Sequence, residues 1–140
     1  MAYLWVTIGS ALGGLLRYAI TRATLALSLN FPYGTILINV VGSFVIGYFG
    51  TLTLQSGKYA ASDNLRLFVM VGICGGFTTF SSFSLQTFDL LRSGFWGRAL
   101  ANAIVSVVLC VLAVGAGHLA AHHTVQQAAI AETAEEEMTG

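Results

Sequence analysis

Apolar residues fill four long stretches of this chain, separated by short polar breaks. Each stretch has the twenty or so mostly apolar residues that a helix needs to cross a bilayer. The first runs from about Tyr3 to Leu27, the second from about Tyr33 to Leu54, the third from about Leu65 to Leu91 and the fourth from about Trp96 to Ala121. Asn30-Phe31-Pro32 marks the first connection, and Gln55 to Asn64 is the clearest polar loop. With four spans, both termini lie on one side. The pattern predicts an all-α membrane protein, with one four-helix transmembrane domain over residues 1–123. Residues 124–140 form a polar, acidic tail that carries Glu135-Glu136-Glu137 and is expected to be a frayed helix or disordered.

The third stretch breaks its own pattern. Gly72-Ile73-Cys74-Gly75-Gly76-Phe77-Thr78-Thr79-Phe80-Ser81-Ser82-Phe83 is uncharged but poor in helix formers. Gly75-Gly76 alone costs about 2 kcal/mol of helix propensity relative to two alanines. A membrane helix interrupted here exposes backbone N–H and C=O groups at depth, which is tolerated only where they are buried in protein or line a wet cavity. The segment reads as a transmembrane helix broken in mid-membrane to build an ion site, or as a glycine kink that lets helices pack closely.

Composition sharpens this picture. Of the 140 residues, 56% are hydrophobic and 9% charged, against about 25% charged in a soluble domain. The net charge is zero, so the chain carries no nucleic-acid footprint. No basic region precedes the first apolar run, as a cleaved signal peptide would require. Lys58 and Arg66 flank the second connection, while Arg22, Arg92 and Arg98 lie near the first and third. A near-balance of this kind gives almost no orientation by the positive-inside rule. It is compatible with insertion both ways up or with a weakly biased single topology. Cys74 and Cys110 sit in apolar stretches without CxxC spacing and read as small core residues.

Polar residues inside the spans fall on helical faces. Gly9 and Gly13 make a GxxxG face, extended by Ser10 and Gly14, that favours close helix approach. Arg17 follows Gly13 by four residues. It is either a functional intramembrane cation or a side chain that snorkels to the interface. Asn39, Ser43 and Gly47 share one face of the second span, where Asn39 serves as interhelical glue or as a binding group. Phe80 and Phe83, three apart, are packing partners or a lining pair. Asn102, Ser106 and Cys110 form an i, i+4, i+8 stripe on the fourth span. His118, His122 and His123 have no acidic or thiolate partner nearby and read as interfacial residues rather than metal ligands. No Ser-His-Asp arrangement, HExxH or phosphate loop is present, so no enzyme chemistry is indicated.

Asp89 is the one acid in or near a span. The polar faces otherwise offer hydroxyls, amides and aromatic edges, and a phenyl edge is the positive part of its quadrupole. Such a lining suits a small anion that accepts hydrogen bonds strongly. Weak contacts at several points also let the ion leave.

Three runs carry a resemblance to the Fluc (CrcB) family of fluoride channels: Gly13-Gly14-Leu15-Leu16-Arg17-Tyr18, Gly34-Thr35-Ile36-Leu37-Ile38-Asn39 and, most specifically, Gly75-Gly76-Phe77-Thr78-Thr79-Phe80-Ser81-Ser82-Phe83. The four-span plan, roughly residues 3 to 121, is similar as well. The resemblance implies an antiparallel, dual-topology homodimer in a bacterial inner membrane, with two fluoride pathways. It places Asn39, Phe80 and Phe83 on the pathway with the hydroxyls of Thr79 and Ser106, and Arg17 at a vestibule. It also implies a structural sodium ion at the dimer centre, held by backbone carbonyls of Gly75 and Thr78. Ser82 stands where the family usually has a second threonine, Gln86 where a glutamate often follows, and Cys110 where a serine often lies.

The expectation is a passive channel that exports fluoride, with fluoride, a second copy of the chain and lipid as its partners. One alternative is a small dual-topology exporter of organic cations coupled to protons, which needs a membrane carboxylate and has only Asp89. Another is an assembly subunit that conducts nothing alone.

Overall fold

The computed structural model describes residues 1–54 and 59–139. They form an all-helical fold with no strand among the described residues. Four segments are long and apolar enough to cross a membrane: Ala2–Ala23, Tyr33–Leu52, Asp63–Arg92 and Trp96–Glu135. The first is one helix, α1 (Ala2–Ala23), followed by a short 3-10 turn over Ala26–Ser28. The second is α2 (Tyr33–Leu52), entered directly after Pro32. A proline there forfeits no helical hydrogen bond, because the first amides of a helix have no intrahelical acceptor. The Ser28 hydroxyl accepts from the Gly34 amide at 3.0 Å and meets one of those orphan donors.

The third span is composite. It comprises α3 (Asp63–Arg66), a π-helical stretch over Leu67–Cys74, α4 (Gly75–Phe77) and α5 (Phe80–Arg92). Ser62 caps α3, its hydroxyl accepting from the Leu65 amide at 3.3 Å. The other end of the span closes with Gly94 at φ 80°. There the Phe95 amide reaches back to the Leu90 carbonyl at 2.9 Å and the Gly94 amide to Leu91 at 3.0 Å. This paired closure needs a left-handed residue, which glycine adopts without penalty. The fourth span belongs to α6 (Trp96–Thr139).

Glycine placement decides how these helices meet. A Cβ on Gly9 would lie 2.5 Å from the Phe68 carbonyl oxygen and 2.9 Å from the Gly72 Cα, and one on Gly13 would strike the Ile73 carbonyl. Across the contact, a Cβ on Gly76 would come within 2.5 Å of the Ser10 carbonyl. The GxxxG face of α1 therefore lets its backbone lie directly on the third span. Elsewhere α2 runs along α6, and α5 packs on α6. At the far end of α2, Arg66 donates to the Thr53 carbonyl at 2.7 Å, to the Thr53 hydroxyl at 2.7 Å and to the Gly50 carbonyl at 3.3 Å. A guanidinium thus satisfies the orphan carbonyls of a helix C-terminus, where the macrodipole also favours it.

One feature differs from the reading of the sequence. Gly75 and Gly76 are helical, and the chain leaves the helix only at Thr78 (φ −74°, ψ 157°) and Thr79 (φ −151°, ψ 108°). Gly76 is there for contact with α1; the interruption itself is made by residues whose side chains bind backbone. Beyond the fourth span, α6 continues through the tail to Thr139. Its alanines, glutamates and glutamines are strong helix formers, and extension of an existing helix needs no new nucleus. Part of the second connection, with Lys58, lies outside the described residues.

Candidate functional site

The interruption at Thr78–Thr79 frees backbone groups, and the sequence supplies partners for them. Asn39 of α2 provides two at once. Its Oδ1 accepts from the Thr79 amide at 2.8 Å, and its Nδ2 donates to the Thr79 carbonyl at 3.2 Å. The Thr79 hydroxyl caps α5 by accepting from the Ser82 amide at 3.2 Å, and it also meets the Ser82 and Ser81 hydroxyls at 3.0 and 3.2 Å. Thr78 closes the other side, its hydroxyl donating to the Cys74 carbonyl at 2.8 Å.

These bonds displace two helical ones. In a continuous helix the Thr79 amide would serve the Gly75 carbonyl and the Ser82 amide would serve the Thr78 carbonyl. Here Asn39 takes the first amide and the Thr79 hydroxyl the second. The Gly75 and Thr78 carbonyls are thereby released from the ladder. A Cβ on Gly75 would meet nothing within 4 Å, so the space beside it is open.

A cavity of about 370 Å³ opens beside the interruption. Asn39, Gly75, Thr78, Thr79, Phe80, Phe83 and Ser106 all line it. Ser43, Cys74 and Cys110 contribute to the wall, and no acidic or basic residue does. The Phe80 and Phe83 rings lie 5.4 Å apart, tilted by 44°. Phe80 begins α5 and is 78% exposed in the single chain. Asn39 and Ser43 face the cavity together, whereas Gly47, on the same face of α2, is buried against Val114 of α6.

From Ser106 a line of polar groups runs along the α5–α6 seam. The Ser106 hydroxyl donates to Asn102 Oδ1 at 3.3 Å, Asn102 Nδ2 donates to the Thr87 hydroxyl at 2.8 Å, and that hydroxyl donates to the Phe83 carbonyl at 2.7 Å. Asn102 is 1% exposed, one of the two largest side chains buried completely among the described residues. A buried amide requires such partners, because leaving one polar group unpaired costs about 1–3 kcal/mol. Thr87 was not singled out from the sequence. Its i+4 relation to Phe83 was the available signal, but its match to Asn102 depends on how α5 and α6 cross.

Arg17 is not among the residues lining this cavity. It sits one turn beyond Gly13 on α1, part exposed, with its carbonyl accepting from the Thr21 hydroxyl at 2.8 Å. Asp89 lies elsewhere too, in a second cavity of about 300 Å³ near the α5–α6 connection that it shares with Gln86 and Arg98. Gln86 Oε1 is buried there without a hydrogen-bond partner.

Comparison with known proteins places this geometry in context. The family described as "CrcB-like protein, Camphor Resistance (CrcB)" matches residues 4–118. A Methylobacterium radiotolerans protein named fluoride-specific ion channel FluC is 61% identical over 118 residues, covering 84% of this chain and 82% of that one. A Gluconobacter oxydans protein of the same name is 56% identical over 134 residues, covering 94% and 93%. One from Methylocella silvestris is 55% identical over 122 residues, covering 86% and 93%.

Proposed function

We propose, for a chain that belongs to the CrcB-like protein family, a passive, fluoride-selective channel that lowers fluoride on the side of the membrane where it accumulates. Relatives sharing about half or more of their residues with this chain carry the name of a fluoride-specific channel. The protein is a multi-pass membrane protein and not an enzyme. The observation that carries the mechanism is the cavity beside Thr78–Thr79, walled by two phenylalanine rings and by amide and hydroxyl groups, with no ionised side chain.

Fluoride is small and strongly hydrated, so it enters such a space only if its water is replaced by donors. Asn39 Nδ2 has a second hydrogen beyond the one given to Thr79, and the Ser106 hydroxyl can turn toward the cavity. The positive ring edges of Phe80 and Phe83 add weak, fixed dipoles. None of these holds the ion strongly, which conduction requires. A carboxylate in the wall would repel the ion. The reading puts Asn39, Phe80, Phe83, Thr79 and Ser106 on the pathway and leaves Arg17 outside it, where its charge would draw anions toward the protein.

The working unit in this reading is an antiparallel homodimer in the bacterial inner membrane. Phe80, a large ring exposed at the mouth of the cavity, is supporting evidence for a facing chain. The dimer would hold a structural sodium ion on the carbonyls of Gly75 and Thr78. Both carbonyls have lost their helical donors, and oxygen ligands suit a hard cation. Bound there, sodium would satisfy the carbonyls that the interrupted backbone leaves without helical donors.

The exporter reading needs a carboxylate on the route, and Asp89 lies instead with Arg98 in the second cavity. The test is efflux from liposomes that contain only the purified chain and are loaded with fluoride or chloride. Rapid fluoride loss with chloride retained is expected. Equal retention of both ions would overturn the channel reading.

A further inference from the structure

His118 and His122 stand one turn apart on α6, at the level where α2 ends. Their rings are in contact, with centroids 4.5 Å apart and planes at 78°. His118 Nδ1 is hydrogen-bonded to the Thr51 hydroxyl at 2.8 Å. That bond occupies one ring nitrogen and leaves Nε2 as the free one. The backbone beneath is held firmly, because Gly117 lies so close to Phe44 that its Cβ would strike the Phe44 carbonyl and come within 2.7 Å of the Tyr48 amide. One turn further, the Tyr48 hydroxyl meets the Thr124 hydroxyl at 3.4 Å and ties the same two helices. Both histidines are exposed on the surface of the chain, near the end of the fourth span.

We propose that His118 and His122 form a two-histidine site for a borderline divalent transition-metal ion such as Zn²⁺, Ni²⁺ or Cu²⁺, with Thr51 as its positioning residue. Histidines at i and i+4 on one helix face are a known pattern for holding such an ion. Imidazole nitrogen suits these metals and not Mg²⁺ or Na⁺. A hydrogen bond on the second ring nitrogen is the usual means of orienting a histidine ligand. Among the described residues no group of three or more histidine, cysteine or acidic side chains lies together. The remaining coordination positions are therefore left to water. Arg66, near this end of α2, has its guanidinium engaged with the Gly50 and Thr53 carbonyls. With two protein ligands, the site is one of modest affinity. The proposal uses none of the cavity residues and is independent of the fluoride reading.

Titration of the tag-free, detergent-solubilised chain with each of the three ions is the test. Saturable binding is expected, lost in His118→Gln and in His122→Gln and weakened about tenfold in Thr51→Val. His123→Ala should bind as the parent does, and Mg²⁺ should not bind at the site. His118→Gln retains a side chain able to bond Thr51, so its loss of binding separates ligation from packing. The Cu²⁺ electron paramagnetic resonance spectrum should show two equatorial imidazole nitrogens in the parent and one in His122→Gln. Unchanged binding in the double glutamine variant would overturn the proposal. So would the absence of saturable binding by all three ions up to about 1 mM.

Discussion

Asn39 and Thr79 are paired through both polar atoms of the asparagine amide and both backbone groups of the threonine. The pair imitates one rung of a β-ladder between a side chain and a main chain. It makes an extended residue tolerable between two helices, since the Thr79 N–H, which has no helical acceptor, gains Asn39 Oδ1, and Asn39 Nδ2 gives the Thr79 carbonyl a further donor. It also holds Asn39 at the cavity wall in a single orientation, because only one assignment of its oxygen and nitrogen suits both bonds.

Replacement of Asn39 should therefore cost stability as well as transport. Asn39→Ala leaves the Thr79 amide without a partner, at about 1–3 kcal/mol. The melting temperature in detergent should fall and fluoride efflux should drop to background. Asn39→Asp keeps an acceptor for the Thr79 amide, loses the donor to its carbonyl and brings negative charge to the wall. Efflux should fall further than stability does. An Asn39→Ala protein with parental melting would show that the pair contributes nothing to the fold.

The two phenylalanines should separate transport from folding. Phe80→Ile and Phe83→Ile keep apolar volume near the cavity but remove the ring edges. Fluoride efflux should be lost, with the elution volume on size exclusion unchanged. Parental rates from both variants would remove the rings from the pathway.

Gly13 tests the contact between α1 and the third span. A methyl group there meets backbone of Ile73 and Phe77, not a flexible side chain, so the helices themselves must separate. Gly13→Ala should destabilise by about 1–3 kcal/mol, seen as a lower melting temperature. Gly14→Ala, where a Cβ meets nothing within 4 Å, should be close to neutral.

Sodium should stabilise the protein if released carbonyls of Gly75 and Thr78 bind it. Exchange of sodium for a large organic cation at constant ionic strength should lower the melting temperature. Restoring sodium should return it, with a dependence on sodium concentration as for any ligand of the folded state. Identical melting in both salts would argue against a resident sodium ion.

Four apolar spans, the glycine face of α1 and the neutral, hydroxyl-rich character of the third span are legible in the order of residues alone. These are periodic properties, and a period of 3.6 residues is legible without knowing what a helix packs against. That order also carries the family likeness, because the run from Gly75 to Phe83 is specific as a string. Where the third span leaves its helix depends on contacts between helices. Glycine lowers helix propensity wherever it occurs, but Gly76 is held in helix by the backbone of Ser10, while Thr79 is drawn out of it by Asn39, forty residues away in sequence. The link from Asn102 to Thr87 and the contact between His118 and Thr51 are of the same kind. Each joins two helices, and a pattern read along one helix contains no information about the rotation of its neighbour.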